Sequence, residues 1–490
     1  MNKKPNILWI CTDQQRFDTI HELGNQYINT PATDNLIKGG CAFLNTYAQS
    51  PVCTPSRASF LTGRYPKTTR VNRNGNEYFP PDEVMVTKIF ADHGYDCGLV
   101  GKLHLSAAEG MVEVRPDDGY HFFEWSEHPH DDWETGHAYQ DWLKEKGIRW
   151  NDYYILGDGK SQGTKDNAWK KCLPSDCGGM ISEYHQTTWA FERAEYFINQ
   201  NHDGRPWLIS INIFDPHPPY DPPKEYRDQI DASKLPLPLW QEGELLNKPD
   251  YYREDYEQGS QGGSGPCAID FDDAAKRQLI ADYYAQIEHT DKKMSDFFDR
   301  LHESGHLENT IILFHSDHGE MCGDHGLYWK GAYSYEQLIH VPMIFKWEGH
   351  IMENLKSTAL VELVDIAPTL LELADIEVPF YMQGKSLKKI LTGEAAADFH
   401  KEAIHSEYYR ALPPVHNKYI SIYFDGRYKI AVHHNEEISE LYDLRSDPNE
   451  FENLWNLPEY CHIQLEYLKK CFDLTTMNTM DPKPRTIRKF

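Results

Sequence analysis

Four short apolar runs constrain this 490-residue chain more than anything else in it: Asn6–Cys11, Tyr95–Val100, Trp207–Phe214 and Thr310–His315. Each has the length of a strand and is too continuous to leave one face in water. Helix-like stretches at 31–39, 83–93, 183–200 and 272–303 lie between them. That alternation predicts an α/β fold, a sheet covered by helices. Such sheets gather functional groups at the carboxyl ends of their strands. Two of the runs stop there in polar clusters, Thr12-Asp13-Gln14-Gln15 and Ser316-Asp317-His318-Gly319-Glu320.

After about residue 395 the texture changes. Tyr419–Phe424 and Tyr428–His433 alternate like paired strands around Asp425-Gly426, a hairpin turn pair. Leu441-Tyr442-Asp443-Leu444 follows, then Asp447-Pro448. This predicts two domains, 1–395 and a smaller α+β unit over 396–490 with an antiparallel sheet and a helix. Residues 115–181, rich in Asp, His, Trp and Gly, and 215–270, rich in Pro and Gly, read as loops that shape a cleft.

The formal net charge of −27 argues against nucleic acid as a partner and gives no long-range pull on an anionic substrate. Attraction must then come from a local cluster of cations. No apolar run approaches the ~18 residues needed to span a bilayer. Met1-Asn2-Lys3-Lys4-Pro5 leads straight into the first strand, so the sequence as written reads as cytoplasmic, or as periplasmic if a leader has been removed. Of the ten cysteines, Cys172 and Cys177 are spaced to pair; the others, Cys53 apart, read as core thiols.

Cys53 stands directly before Thr54-Pro55-Ser56-Arg57. Thr can cap a helix and Pro suits its first turn, which puts Cys53 at a helix mouth where free N–H groups favour an anion. Arg57, one turn on, adds a planar fork of donors for a tetrahedral oxyanion. Taken alone, Cys53 is also compatible with a core thiol, Asp13 with a turn or cap, and Ser316-Asp317 with an N-cap. Lys102 and His104, two apart in Gly101-Lys102-Leu103-His104-Leu105, would point the same way on an extended backbone. The prolines of Asp215-Pro216-His217-Pro218-Pro219 would fix His217 for proton transfer. A Pro-rich surface turn explains the same segment.

Residues 53–64, Cys-Thr-Pro-Ser-Arg-Ala-Ser-Phe-Leu-Thr-Gly-Arg, resemble the signature of the type I, formylglycine-dependent sulfatases, members of the alkaline phosphatase superfamily. Gly101–Leu105, Pro216–Pro219, Ser316–Glu320 and Gly326-Leu327-Tyr328-Trp329-Lys330-Gly331 resemble that family's other segments in the family's order. The resemblance covers Asn6 to about Leu454. It implies an alkaline-phosphatase-like fold, a large mixed sheet flanked by helices, and a sulfuric ester hydrolase.

By the same resemblance Cys53 is oxidised to formylglycine by a formylglycine-generating or anaerobic sulfatase-maturating enzyme. Asp13, Gln14, Asp317, His318 and one oxygen of modified residue 53 would hold a divalent ion. Ca²⁺ is the family's usual choice, with Mn²⁺ or Mg²⁺ left open by Gln14 and His318, which depart from the common pattern. Arg57, Lys102 and Lys330 would hold sulfate, His217 would be the acid for the leaving oxygen, and His104 the base that releases sulfate. Asn74 is a candidate substrate contact; His128, His130, His137 and Arg410 are fainter ones. The implied substrate is a sulfated carbohydrate, such as a glycosaminoglycan fragment, with a uronate 2-O-sulfate among the options. The alternatives are a phosphonate or phosphate ester hydrolase of the same superfamily and a non-catalytic glycan-binding homologue.

Overall fold

The computed structural model describes residues 4–108, 111–128, 135–149, 180–478 and 480–483. His130, Cys172 and Cys177 lie outside these residues. The main body is an eight-stranded sheet built from β1 (Asn6–Thr12), β2 (Cys41–Tyr47), β3 (Asp96–Gly101), β4 (Phe122–Trp125), β5 (Trp207–Ile213), β6 (Thr310–Ser316), β7 (Met343–Lys346) and β8 (Leu355–Glu362). Its order is β4-β3-β5-β1-β6-β7-β2-β8. Strand β7 runs antiparallel to β6 and β2, and the other neighbours are parallel, so the sheet is mixed.

The central strand shows why the runs are continuous. Ile7, Trp9 and Cys11 face one layer of helices, Leu8 and Ile10 the other, and all five are buried. The first layer holds Phe60 and Leu61, Val86 and Phe90, and Ile366 and Leu370. The second holds Leu36 and Ile37 of α1 (Pro31–Lys38), Ala194 and Phe197, and Phe297 and Leu301 of the long helix Asp273–Glu303. A second sheet, antiparallel in the order β12-β11-β10-β9, consists of β9 (Ile404–Tyr409), β10 (Tyr419–Phe424), β11 (Tyr428–His433) and β12 (Glu440–Asp443). Ile404, Ile420 and Ile422 of this sheet share a core with Tyr47, Leu338 and Ile339 of the main body. Tyr423 and Ile430 pack under the C-terminal helix Cys461–Asn478 through Tyr467 and Cys471.

Several sequence expectations need correction. The helix expected at 83–93 begins at Val86, and the one at 183–200 spans Gln186–Ile198. Residues 215–270 contain helical turns, among them Asp250–Gln258, whose Tyr251 and Tyr252 are buried. Residues 115–181 supply β4 and the helix Ala138–Glu145. Cys461 is exposed, so it is no core thiol. Strand β3 stops at Gly101, and His104 has φ 57, so the alternation argued for Lys102 and His104 does not hold. The break follows from packing: Gly101 has φ 104, and any Cβ there would collide with the carbonyl oxygen of Asn212 on β5.

Asp291, inside the long helix, accepts from the backbone N–H groups of Ala32 (2.8 Å) and Thr33 (2.9 Å) and from the Thr33 hydroxyl (2.7 Å). Helix α1 is thus capped from across the fold. Replacing Asp291 by Ala leaves those buried donors unmet and is expected to lower stability by about 1–3 kcal/mol, measured by denaturant unfolding.

Candidate active site

Neighbouring strands deliver the polar residues in step. Thr12 of β1 pairs with Ser316 of β6, so Asp13 and Asp317 emerge at matching positions. Thr12 also pairs with Ile213 of β5, beyond which come Asp215 and His217, and Asn212 of β5 pairs with Gly101 of β3, just before Lys102. Cys53 arrives from the side as the first residue of α2 (Cys53–Thr62), after the turn that follows β2. The expected Thr54 cap is absent: the N-cap residue is Val52, and the Asn74 side-chain oxygen accepts from the Thr54 N–H at 3.0 Å. Asn74 is therefore tied to the start of α2.

Asp13, Cys53, Asp317 and His318 converge, their ligand-type atoms lying within 4.8 Å of one another, and all four are fully buried. The Cys53 sulfur is 3.1 Å from His318 Nε2 and 3.7 Å from Asp13 Oδ1. Lys102 Nζ lies 2.6 Å from Asp13 Oδ2, 3.3 Å from Glu127 and 3.9 Å from the sulfur. The His104 side chain reaches the same sulfur. Lys330 Nζ bonds His217 Nε2 at 2.7 Å and Gln14 Oε1 at 2.8 Å. The structure thus brings together Asp13, Gln14, Cys53, Arg57, Lys102, His104, His217, Asp317, His318 and Lys330.

Arg57, expected to hold sulfate, makes three directed contacts within the protein. Its Nε donates to Asp317 Oδ2 (2.8 Å), Nη1 to the Lys102 carbonyl (2.9 Å) and Nη2 to Asp13 Oδ2 (3.3 Å). It ties the two carboxylates together and faces them as an inner counter-ion. Gln14, expected beside the divalent ion, is held by two neighbours. Its oxygen is engaged by Lys330, its amide nitrogen donates to Glu320, and its backbone adopts φ 72.

Sequence reading missed Glu113. Its carboxylate accepts from the backbone N–H groups of His104, Leu105 (2.6 Å) and Ser106 (2.9 Å) and so holds the turn that carries His104. Glu127, beside Lys102, was missed as well. Neither acid belongs to a recognisable motif; only the chain's path finds them. His128 packs edge-on against His217, while His137 caps the helix Ala138–Glu145.

The electrostatics follow from burial set against neighbouring charge. Burial and the Cys53 sulfur push the Asp13 carboxyl up, yet Lys102, His217 and Arg57 outweigh them and hold it at about 2. Burial and the charge on Asp13 raise Asp317 despite Arg57. Burial opposes ionisation of Cys53, but Lys102, Lys330 and His318 hold it well below the ordinary thiol range. Burial, and then Lys330, push His217 down to about 3. Its Nδ1 lies 2.6 Å from the Pro218 carbonyl, which makes that nitrogen the donor and leaves Nε2 to accept from Lys330. The His318 Nδ1 likewise donates to the Gly319 carbonyl at 2.8 Å, which turns Nε2 toward Asp13 and the sulfur; burial opposes its charge, but Asp317 and Cys53 raise it above the ordinary imidazole range.

That donor set fits a divalent cation. Two carboxylates and an imidazole with its tautomer fixed by a backbone carbonyl converge in a site shut from water. A second buried group, His185, Asp215 and His289, is engaged elsewhere: His185 caps the helix Gln186–Ile198 and His289 bonds Ser182.

The description "Sulfatase" matches residues 5–376, and "N-sulphoglucosamine sulphohydrolase, C-terminal" matches 323–477. An arylsulfatase of Clostridium perfringens is 32% identical over 476 residues, 95% of this chain and 93% of the relative. The chain belongs to the sulfatase family. An N-acetylglucosamine-6-O-sulfatase of Bacteroides thetaiotaomicron is 26% identical over 501 residues, 95% of this sulfatase and 85% of that one. Among solved structures, a phosphonate monoester hydrolase from Silicibacter pomeroyi superposes with a TM-score of 0.81 at 24% identity, covering 98% and 96% of the two chains. That likeness bears on the fold, which is the alkaline-phosphatase-like one the sulfatase sequence implied.

Lysine cannot reproduce three directed contacts from one planar group. Arg57→Lys is therefore expected to destabilise the sulfatase, and Arg57→Met, which removes the charge as well and leaves the buried carboxylates uncompensated, by about 3–5 kcal/mol, as measured by denaturant unfolding.

Proposed function

We propose that this sulfatase hydrolyses the sulfate monoester of a carbohydrate, using Cys53 after its oxidation to formylglycine together with a divalent cation. The observation that carries the reading is the position of the Cys53 sulfur, against His318 and Asp13 at the carboxyl edge of the sheet. Asp13, Asp317, His318 and an oxygen of residue 53 would hold the ion, Ca²⁺ first, with Mn²⁺ or Mg²⁺ as the other choices. When bound, the ion supplies Lewis acidity for a sulfate oxygen and lowers the pKa of the attacking hydroxyl. Residue 53, once converted, would offer two geminal hydroxyls, one as the nucleophile toward sulfur and one whose deprotonation would allow sulfate to be eliminated. Maturation requires a formylglycine-generating or anaerobic maturating enzyme as partner.

The chain's own residues do the rest. Lys102 and Lys330 offer ammonium groups to the sulfate oxygens in a site that excludes water, where such charges count most. Arg57 is a positioning residue for Asp13 and Asp317, and its two N–H groups not engaged by them or by the Lys102 carbonyl remain to serve sulfate. His217 keeps its Nδ1 proton on the Pro218 carbonyl and is neutral near pH 7, so the proton for the leaving oxygen resides on Lys330, with His217 Nε2 as the adjoining relay. His104 has a buried Nδ1 with no hydrogen-bond partner and lies beside the Cys53 side chain, which suits it to take the proton of the second hydroxyl. Gln14 steadies Lys330.

Two measurements test this. Protein co-produced with a maturating enzyme should yield a residue-53 peptide carrying the aldehyde by mass spectrometry. It should hydrolyse 4-nitrophenyl sulfate faster than phenyl phosphonate esters, and Cys53→Ala should cut turnover by more than about 1,000-fold. Faster phosphonate turnover would shift the reading to the phosphonate hydrolases, and an unmodified thiol in active enzyme would remove formylglycine from it. Stripping divalent ions with a chelator should lower both the melting temperature and the rate, and Asp317→Asn should abolish the rise in melting temperature on adding Ca²⁺.

A further inference from the structure

Arg73 and Arg410 stand on two segments that lie side by side next to the start of α2. Asn72 Nδ2 donates to the Tyr409 carbonyl (3.1 Å) and the Asn74 N–H to the Ala411 carbonyl (2.8 Å), which sets Arg73 level with Arg410. Asn74 also caps α2 through Thr54, the residue after Cys53. The segment that follows Arg410 continues to the other side of the site. Its Val415 and His416 press against Gly262 and Gly331, leaving no room there for a Cβ. Gln261 donates to the Lys330 carbonyl at 2.7 Å. One rim therefore runs from the mouth of the Cys53 helix to the Lys330 loop, with Arg73 and Arg410 on adjoining segments at one end.

Like charges set level on adjoining segments repel. This chain has 76 acidic residues to 49 Lys and Arg, so a carboxylate partner is easily found. Arg16, Arg57, Arg64 and Arg193 each have one. Among the described residues, no acidic side chain lies within ion-pair distance of Arg73 or Arg410. Arg410 carries two further marks. Its Nε is closed off from solvent with no hydrogen-bond partner, a penalty the fold leaves standing. Its backbone is left-handed, φ 54, which is uncommon for a residue with a side chain and clusters at ligand sites. An unpaired charge, an unmet donor and a strained backbone meet in one residue at the rim.

The geometry points to a subsite for a second anionic group of the substrate, bound by Arg410 with Arg73 beside it. The inference rests on the sulfatase reading above and narrows it: the sugar released would carry, besides the sulfate that is cleaved, a carboxylate or another sulfo group. A planar guanidinium can bond both oxygens of a carboxylate at once, and a sulfo group offers the same charge and acceptors.

The test compares glucose 2-sulfate and 3-sulfate with the corresponding glucuronate sulfates and with glucose 2,3-disulfate. In the matured enzyme kcat/KM for an anionic sugar should exceed that for its neutral counterpart at least tenfold. Preference for glucuronate assigns the subsite to a carboxylate, and preference for the disulfate assigns it to a sulfo group. Arg410→Ala and Arg73→Ala should each cut the ratio at least tenfold, mainly through KM, with Arg410→Lys recovering part of it. If Arg410→Ala fails to fold, Arg73→Ala reads the same ratio. A wild-type ratio near one, or a ratio kept in the alanine variants, overturns the inference. Titration calorimetry of glucuronate 2-sulfate against glucose 2-sulfate into the Cys53→Ala protein separates the two failures. Preferential binding without turnover in the matured enzyme would fault the catalytic reading and spare the subsite, while equal binding would sink the subsite alone.

Discussion

Two carboxylates on neighbouring parallel strands share one guanidinium, and the rest of the site is arranged around that knot. Asp13, Arg57 and Asp317 are all fully buried. Taking such charges from water costs several kcal/mol each, and their mutual attraction offsets this only when the geometry is tight. Here it is tight because Arg57 sits one turn into α2, with its remaining reach anchored on the Lys102 carbonyl. The same helix turn that presents Cys53 thus also braces the carboxylates it faces. A shift of α2 along its axis would disturb the acids and the sulfur together.

Strand order does the next part of the work. The central run β3-β5-β1-β6 lines up Lys102, His217, Asp13 with Gln14, and Asp317 with His318 along one edge. Close packing enforces the alignment. Gly101 lets β3 end against Asn212, and at Gly319 a Cβ would collide with the Gln337 carbonyl, so only glycine lets the chain past His318 turn so closely. Glu113 then gathers three backbone N–H groups under His104, a small anion nest built from the protein's own carboxylate.

Proton placement follows the same logic of local restraint. Both His217 and His318 spend Nδ1 on the carbonyl of the residue next in sequence, and each turns Nε2 inward. One faces an ammonium and the other faces carboxylate and sulfur, so two chemically identical rings acquire different tasks. The C-terminal sheet contributes from outside the main sheet: the 409–416 segment reaches back to the Asn74 turn and the Lys330 loop, which is how residues far apart in sequence come to border one cleft.

Much of this was legible in the chain itself. Continuous apolar runs announced buried strands, their polar ends announced the site edge, and the Cys53 stretch with its companion segments pointed to the family. What could not be read were the orientations. Period-two reasoning placed Lys102 and His104 together for the wrong reason, since the chain leaves the strand at Gly101; the acceptor for the Thr54 N–H came from Asn74, and the acids beside His104 and Lys102 came from residues with no motif. That Arg57 braces two carboxylates could not be read from its place in the Cys53 stretch. Sequence determines which segments are buried and which chemistry they carry, because hydrophobic periodicity and residue type act locally. Only the tertiary structure decides which donor meets which acceptor, because hydrogen bonds and ion pairs are directional, span hundreds of residues in the chain, and are set by close packing that no local pattern encodes.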